Sequence, residues 1–422
     1  MQEPVTKLSR KKILFFFPQN PSLPRSGAQV RCLEILSGLA KLGHEVTFLY
    51  ANPYPERRNN ATTEKYLKRI GIQTVFCFQW SLSEYVISGI IRRAYLMFNR
   101  IPPLSSRRYI PRRMHSWFRK IQSEYKPDII WTNYSFSDSL IDGKSGKKSR
   151  LIIDYHDFIS INHSMAIAVK HCFSRRHPYV VVNPEVLEES FFTSQTFPLD
   201  PVEIGTILKF DTIVAISTVE AEILRRYDKE KKVICLPVTS TAIDLDNTYK
   251  GPAIFATGPN AFNLQGFFYF THRVLPAIQR DAPDFILDVS GSVSGEVSGV
   301  PGISLLGFVR NLRDCYRDAR FAVCPVLGGT GQQIKIVEAM AHGLPVVATG
   351  YASKTSPIIH GENGFVANNV KEFADYCVRL WKDPELCRQM GEAARITVRE
   401  KFGDNLLRER LSAILESSPP DH

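Results

Sequence analysis

Short apolar runs recur along this chain, each followed by apolar residues spaced three and four apart. The first run is Lys12–Phe17, and others fall at 46–50, 71–78, 127–131, 150–154, 211–217 and 233–237. Residues 30–42 carry Val30, Leu33, Leu36, Leu39 and Ala40 at helical spacing and stop at Gly43. A polar stretch, 239–251, interrupts the rhythm. It restarts with runs at 253–257, 285–289, 303–309, 321–324 and 345–348. Strands alternating with helices predict an α/β fold with parallel sheets, and the restart predicts a second domain of the same class. The expected boundaries are 1–238 for the first domain, 239–251 for a linker, 252–400 for the second domain and 401–422 for a terminal helix. Residues 158–210 show no readable period.

The densest pattern is at 321–350. An apolar run closes at Pro325, Gly328-Gly329-Thr330-Gly331 follows, and a helix is expected from Gln332 to His342 with Ile334, Val337 and Ala341 on one face. Helix-start N–H groups lack internal partners and carry partial positive charge, and glycines let an anion approach the backbone. Lys335 adds a full charge in the first turn, and Glu338 lies three residues on, sharing its face. A carboxylate there suits a ribose diol, because it accepts two hydroxyl protons. The same residues also fit a plain βαβ corner, with Lys335 and Glu338 paired on a solvated face. Two further positions lie where open parallel sheets bind ligands. Gly27 sits in the loop between the first strand and its helix. His156 lies just past the run at 150–154, where it either faces the crevice or caps its own loop through Asp154 or Asp157.

The segment Gly329 to Ala348, with EAMAHGLPVV at 338–347, resembles the donor-site motif of retaining glycosyltransferases of the GT-B fold, glycosyltransferase family 4. LAKLGHEV at 39–46, PDII at 127–130 and HGENGF at 360–365 resemble further segments of that family. The resemblance implies two Rossmann-like, doubly wound domains facing across a cleft, the first holding an acceptor and the second a nucleotide-sugar, with the terminal helix crossing back to the first. It implies transfer with retention of configuration onto a glycan or lipid-linked acceptor in cell-surface polysaccharide synthesis, with no cofactor and no metal. It assigns Gly27, Gly307, Phe308, Val309, Gly329, Thr330, Gly331, Gln332, Lys335 and Glu338 to the donor, and sets His156 beside the sugar. Two departures stand out. Many members have Glu eight residues before the EAMA Glu, where this chain has Thr330. The family's usual base after the strand at 253–257 is absent, since no Lys or Arg occurs from Gly251 to His272. These departures motivate an alternative, a non-catalytic nucleotide-sugar-binding scaffold. A sugar-nucleotide epimerase or an inverting relative on the same fold is a third reading.

Composition changes this picture in two places. Eight cysteines without a CxxC pair suggest reduced thiols and a cytoplasmic chain. No stretch reaches the length of a membrane span or a signal-peptide core. The net charge of +11 is local, because Arg92 to Lys120 contributes nine bases and no acid, leaving +2 elsewhere. With Tyr95, Leu96, Met97, Phe98, Trp117 and Phe118 interleaved, this segment suits an anionic membrane surface or nucleic acid, or is a solvated basic helix pair broken at Pro102-Pro103 and Pro111. No nucleic-acid fold motif accompanies it, so the expectation is peripheral attachment to the inner membrane face and no nucleic acid.

Overall fold

A computed structural model describes residues 9–22, 26–52, 60–97, 110–141, 149–258 and 260–416. The expected break at Pro102-Pro103, the bases Arg100, Arg107 and Arg108, Phe98, and Pro259 of the turn after residue 257 lie outside these residues.

The chain divides into two compact units. The first comprises 1–160, 199–238 and 407–422, and the second comprises 161–198 and 239–406. Unit 1 holds seven parallel strands, β1 (Lys12–Phe17), β2 (Glu45–Asn52), β3 (Thr74–Gln79), β4 (Ile129–Asn133), β5 (Arg150–Tyr155), β6 (Thr212–Ala215) and β7 (Lys232–Cys235), in the order β3-β2-β1-β4-β5-β6-β7. β1 reads as a continuous apolar run because both faces are covered. Ile13, Phe15 and Phe17 enter one core, with the helix Gly27–Lys41 and the terminal helix Asp404–Glu416, while Leu14 and Phe16 enter the opposite core with Met114, Phe118 and Ile121. The terminal helix seats on Gly38, where an added Cβ would run into Leu411.

Unit 2 holds six parallel strands, β8 (Ala253–Thr257), β9 (Leu287–Gly291), β10 (Ile303–Gly307), β11 (Ala322–Cys324), β12 (Val346–Thr349) and β13 (Gly364–Ala367), in the order β10-β9-β8-β11-β12-β13. In each unit the order reverses once, between β1 and β4 and between β8 and β11, and such reversals open a ligand crevice at the carboxyl ends of the strands.

The division differs from the boundaries expected from sequence. Residues 161–198 belong to unit 2, although they precede β6 and β7. They are anchored on the helix Ala261–Tyr269. Phe173 stacks on Phe268 at 5.2 Å, the Gln265 side chain donates to the Val186 carbonyl at 2.8 Å, and the Tyr269 hydroxyl donates to Glu189 at 2.8 Å. The polar stretch 239–251 is also fixed to unit 2, where the Ile243 N–H donates to Ala341 O at 2.8 Å and Thr248 N–H to Arg317 O at 2.9 Å.

Candidate functional site

Two strand-to-helix connections meet at the β8/β11 reversal. After β8 the chain turns at Gly258 into the helix Ala261–Tyr269, capped by Asn260, whose side chain accepts the Asn263 N–H at 2.8 Å. The Asn263 side-chain amide donates to Gly258 O at 2.9 Å, which pins its carbonyl oxygen outward. After β11 the chain runs through the glycine turn into the helix Ile334–Ala341. Lys335, half-buried, reaches across from that helix, donates to Asn263 Oδ1, and sits 5.0 Å from the Phe255 ring centroid. Burial pushes the Lys335 ammonium below its ordinary value, with Cys324 and Glu338 pulling the other way. Glu338 is pushed above the usual carboxylate range by burial, against the Tyr316 hydroxyl and Lys335. Tyr316 is itself buried, and its hydroxyl lies beside that carboxyl without closing a well-formed hydrogen bond. Ala256, Cys324, Lys335 and Tyr316 line a pocket of about 10 Å³, room for about one water molecule. Both charges are thus under-solvated, and an anion beside Lys335 would favour its charged form.

The glycine turn is held from four sides within unit 2. The Phe192 ring lies against Gly328, where any Cβ would fall inside the ring, and Phe262 would stand 3.1 Å from a Cβ on Gly329. The Tyr351 hydroxyl donates to the Gly329 carbonyl, and Asn162 Nδ2 donates to the Thr330 hydroxyl at 3.1 Å. Gly329 and Gly331 have φ of 112° and 80°, a left-handed backbone that favours glycine. That geometry corrects the expected helix start. Gly329 to Gln332 and Gln333 form the loop, and the helix begins only at Ile334, because Gly331 and Gln333 (φ −80°, ψ 78°) leave the helical region.

The structure brings Gly329, Thr330, Gly331, Gln332, Lys335 and Glu338 together on one connection. It turns Lys335 onto Asn263, not onto Glu338, so the solvated Lys335–Glu338 pair does not form. Gly307 (φ 67°) ends β10 and Phe308 and Val309 follow it, two strands from β8 at the same carboxyl edge, and Phe308 is 81% exposed. Among the described residues no hydrogen bond or ring contact links these three to Lys335. Asn263, Asn162, Phe192, Tyr316 and Tyr351 are the neighbours that sequence reading passed over. The Pro-Asn turn at 259–260 was the available signal for Asn263, since it marks a capped helix start in place of the absent base.

Unit 1 has its own cluster at the β1/β4 reversal. Gly27 is the first residue of its helix and not part of the expected loop, because Ser26 caps the helix three residues early. The Ser26 N–H donates to the Gln29 side chain at 3.1 Å, while Gln29 donates to Asn20 O at 2.7 Å. His156 Nε2 lies 2.8 Å from Asn133 Oδ1 and 3.2 Å from Asp154 Oδ2. Its ring stacks on Tyr134 at 4.6 Å, and Tyr134 holds a left-handed backbone (φ 66°), a sparsely populated state for a side chain of that size. Asp154 is fully buried and receives two nitrogens of Arg31 at 2.6–3.0 Å. Burial alone would raise the Asp154 carboxyl, but the Arg31 guanidinium and His156 outweigh it and hold it at about 2. Both His156 readings therefore have a physical basis, because one ring nitrogen is spent on Asp154 and Asn133, while Nδ1 has no hydrogen-bond partner among the described residues.

Among the described residues no helix is long and apolar enough to cross a membrane. Of the bases at 92–120, Arg113 is committed to Glu84 at 3.0 Å, and the aromatics expected to face outward do not all do so. Phe118 is buried, and Trp117 packs edge-on against Phe78 at 5.4 Å.

The chain is similar to an uncharacterized glycosyltransferase of Haemophilus influenzae, 25% identical over 218 residues. That match covers 49% of this chain and 61% of the Haemophilus protein. It is similar along 93% of its length to an uncharacterized 44.6 kDa protein in the cps region of Klebsiella pneumoniae, at 21% identity and 96% coverage of that protein. Among solved structures it resembles Staphylococcus aureus TarM, crystallised with fondaparinux, alpha-GlcNAc-glycerol and UDP. The TM-score is 0.66 at 10% identity, covering 97% of this chain and 100% of TarM, a likeness of fold. The model for glycosyl transferases group 1 matches residues 251–383, and the model for Glycosyltransferase Family 4 matches 25–239, more than half of the chain. Two doubly wound units of this kind, carrying those two matches, make the chain a member of glycosyltransferase family 4 with the GT-B fold.

Proposed function

We propose that the chain is a retaining glycosyltransferase that moves a sugar from a nucleotide-sugar to a glycan or lipid-linked acceptor in cell-surface polysaccharide synthesis. The observation that carries this reading is the half-buried Lys335 ammonium at the β8/β11 reversal, held by Asn263 beside a glycine turn that is clamped before any ligand arrives. Preorganised charge of this kind is what a departing diphosphate needs, since reorganising dipoles during the reaction would raise the barrier. The C1–O bond to the diphosphate breaks with its electron pair going to the phosphate oxygen, the acceptor hydroxyl oxygen bonds to C1, and the hydroxyl proton passes to the departing diphosphate. Lys335 and the turn at 329–332 stabilise the charge that develops. Glu338 orients the nucleotide ribose, and Gly307, Phe308 and Val309 hold the base. Gly27 and His156 serve unit 1's own crevice, where the acceptor binds. UDP in the TarM complex and the cps-region location of the Klebsiella relative support the substrate class.

The test is Lys335→Ala. Loss of one such donor costs about 2.7–4 kcal/mol of barrier, so turnover of the sugar nucleotide drops by about 10²–10³. Calorimetry with UDP and GDP shows weakened binding in parallel. Unchanged binding and turnover would remove Lys335 from the phosphate site. Anomer assignment of the product by NMR checks retention, and turnover in EDTA equal to turnover without it checks independence from a divalent metal.

A further inference from the structure

The helix Leu82–Met97 in unit 1 is mounted with its apolar side outward. Its inward residues, at helical spacing, are Glu84, Ser88, Ile91 and Tyr95, all partly covered. The opposite face carries Leu82, Val86, Ile90 and Met97, which are 68%, 48%, 59% and 81% exposed, with Tyr85 and Ile87 on its flanks at 43% and 40%. A surface helix ordinarily turns its apolar stripe to the core. Here the stripe runs the length of sixteen residues, roughly 24 Å at 1.5 Å per residue, and points to solvent. The inner face explains the mounting. Glu84 accepts from Ser81 at 2.8 Å and from Arg113 at 3.0 Å, fixing the first turn to the helix Arg112–Tyr125 through its polar side.

Charge decides what covers this stripe. Arg92 and Arg93 are exposed within the same helix, and Arg112, Arg119 and Lys120 are exposed on the neighbouring one. No acidic residue occurs from 85 to 123. A second copy of the chain would set these bases against their own kind, whereas an anionic lipid surface accepts both the apolar stripe and the bases.

We propose that this helix is a membrane-docking element that lies in the plane of an anionic bilayer surface. Leu82, Val86, Ile90 and Met97 enter the boundary between headgroups and acyl chains, and Arg92 and Arg93 bind lipid phosphates. The long arginine stems extend along the apolar surface while their heads stay at the phosphate level. The docking face is therefore the outer side of the 82–97 helix, and Trp117 and Phe118 take no part.

The experiment is flotation of the full chain with phosphatidylcholine vesicles, with and without phosphatidylglycerol. Recovery is expected only with the anionic lipid. Each of Arg92→Gln and Arg93→Gln weakens partition about fivefold. The pair Val86→Glu with Ile90→Glu abolishes flotation with an unchanged melting temperature, since both side chains are exposed. Equal recovery with both vesicle types, or flotation of the Val86→Glu/Ile90→Glu chain at the wild-type level, would overturn the proposal. So would light scattering that shows a wild-type dimer reduced to monomer by that pair, which would assign the face to a second copy. None of these readouts requires enzymatic turnover, so they stand apart from the test of Lys335.

Discussion

Asn162 donates from Nδ2 to the Thr330 hydroxyl at 3.1 Å, joining two residues 168 positions apart within one unit. Thr330 occupies the position where the family resemblance calls for a sugar-reading Glu, so the pair supplies an amide and a hydroxyl where a carboxylate would stand. Asn162→Ala is expected to raise KM for the sugar nucleotide roughly two- to tenfold, the worth of a neutral hydrogen bond, and to leave UDP affinity unchanged. Calorimetry with UDP against UDP-sugars measures the difference. An equal loss for both ligands would show that Asn162 only holds the turn.

Gly328 and Phe192 give a steric test of the same cradle. Gly328 has an ordinary backbone, so Gly328→Ala brings no conformational strain, only a collision with the Phe192 ring. A cost of about 1–3 kcal/mol is expected in urea unfolding. Phe192→Ala in the Gly328→Ala background should return part of it, giving a non-zero coupling in a double-mutant cycle.

The buried Arg31–Asp154 pair predicts acid sensitivity. The folded-state value of Asp154 is depressed to about 2, below the ordinary value of 3.8. Its contribution, roughly 2 kcal/mol, is therefore present above about pH 4 and lost as pH falls through 2. Arg31→Met leaves a buried carboxylate without its partner and should cost about 3–5 kcal/mol at neutral pH. The double change Arg31→Met with Asp154→Leu should recover most of that, read by chemical denaturation.

Asp157 carries the opposite sign. Burial, with Glu203 and Glu220 nearby, raises its carboxyl to about 7. Stability contributed by its protonated form is full below about pH 4 and falls away as pH rises to 7. Asp157→Asn should therefore add up to roughly 4 kcal/mol of stability at about pH 8, seen as a higher melting temperature, and change neither at about pH 4.

The strands were legible because buried parallel strands are continuous apolar runs, and Lys12–Phe17 and Ala253–Thr257 match their runs residue for residue. Lys335 and Glu338 were legible as a pair on one turn. Which way Lys335 points was not, because that depends on Asn263, a neutral side chain 72 positions earlier. The segment 161–198 was opaque for a related reason. Phe173, Val186 and Phe192 follow no period, and they are spaced to meet a helix that begins at Ala261. Phe118 is different, since Met114, Phe118 and Ile121 fall at helical spacing and marked an inward stripe that the surrounding bases obscured. For the helix Leu82–Met97 the apolar stripe could be read, but its outward direction is set by Glu84 and Arg113 and exists only in three dimensions.

The assignment of 161–198 to the second unit means that the backbone passes from one unit to the other four times, at 160/161, 198/199, 238/239 and 406/407. A single protease nick or a truncation at 238 therefore cannot liberate a complete second half. A recombinant fragment carrying only 239–406 would lack Phe192 and Asn162, and an isolated version of that unit needs residues 161–198 spliced onto it.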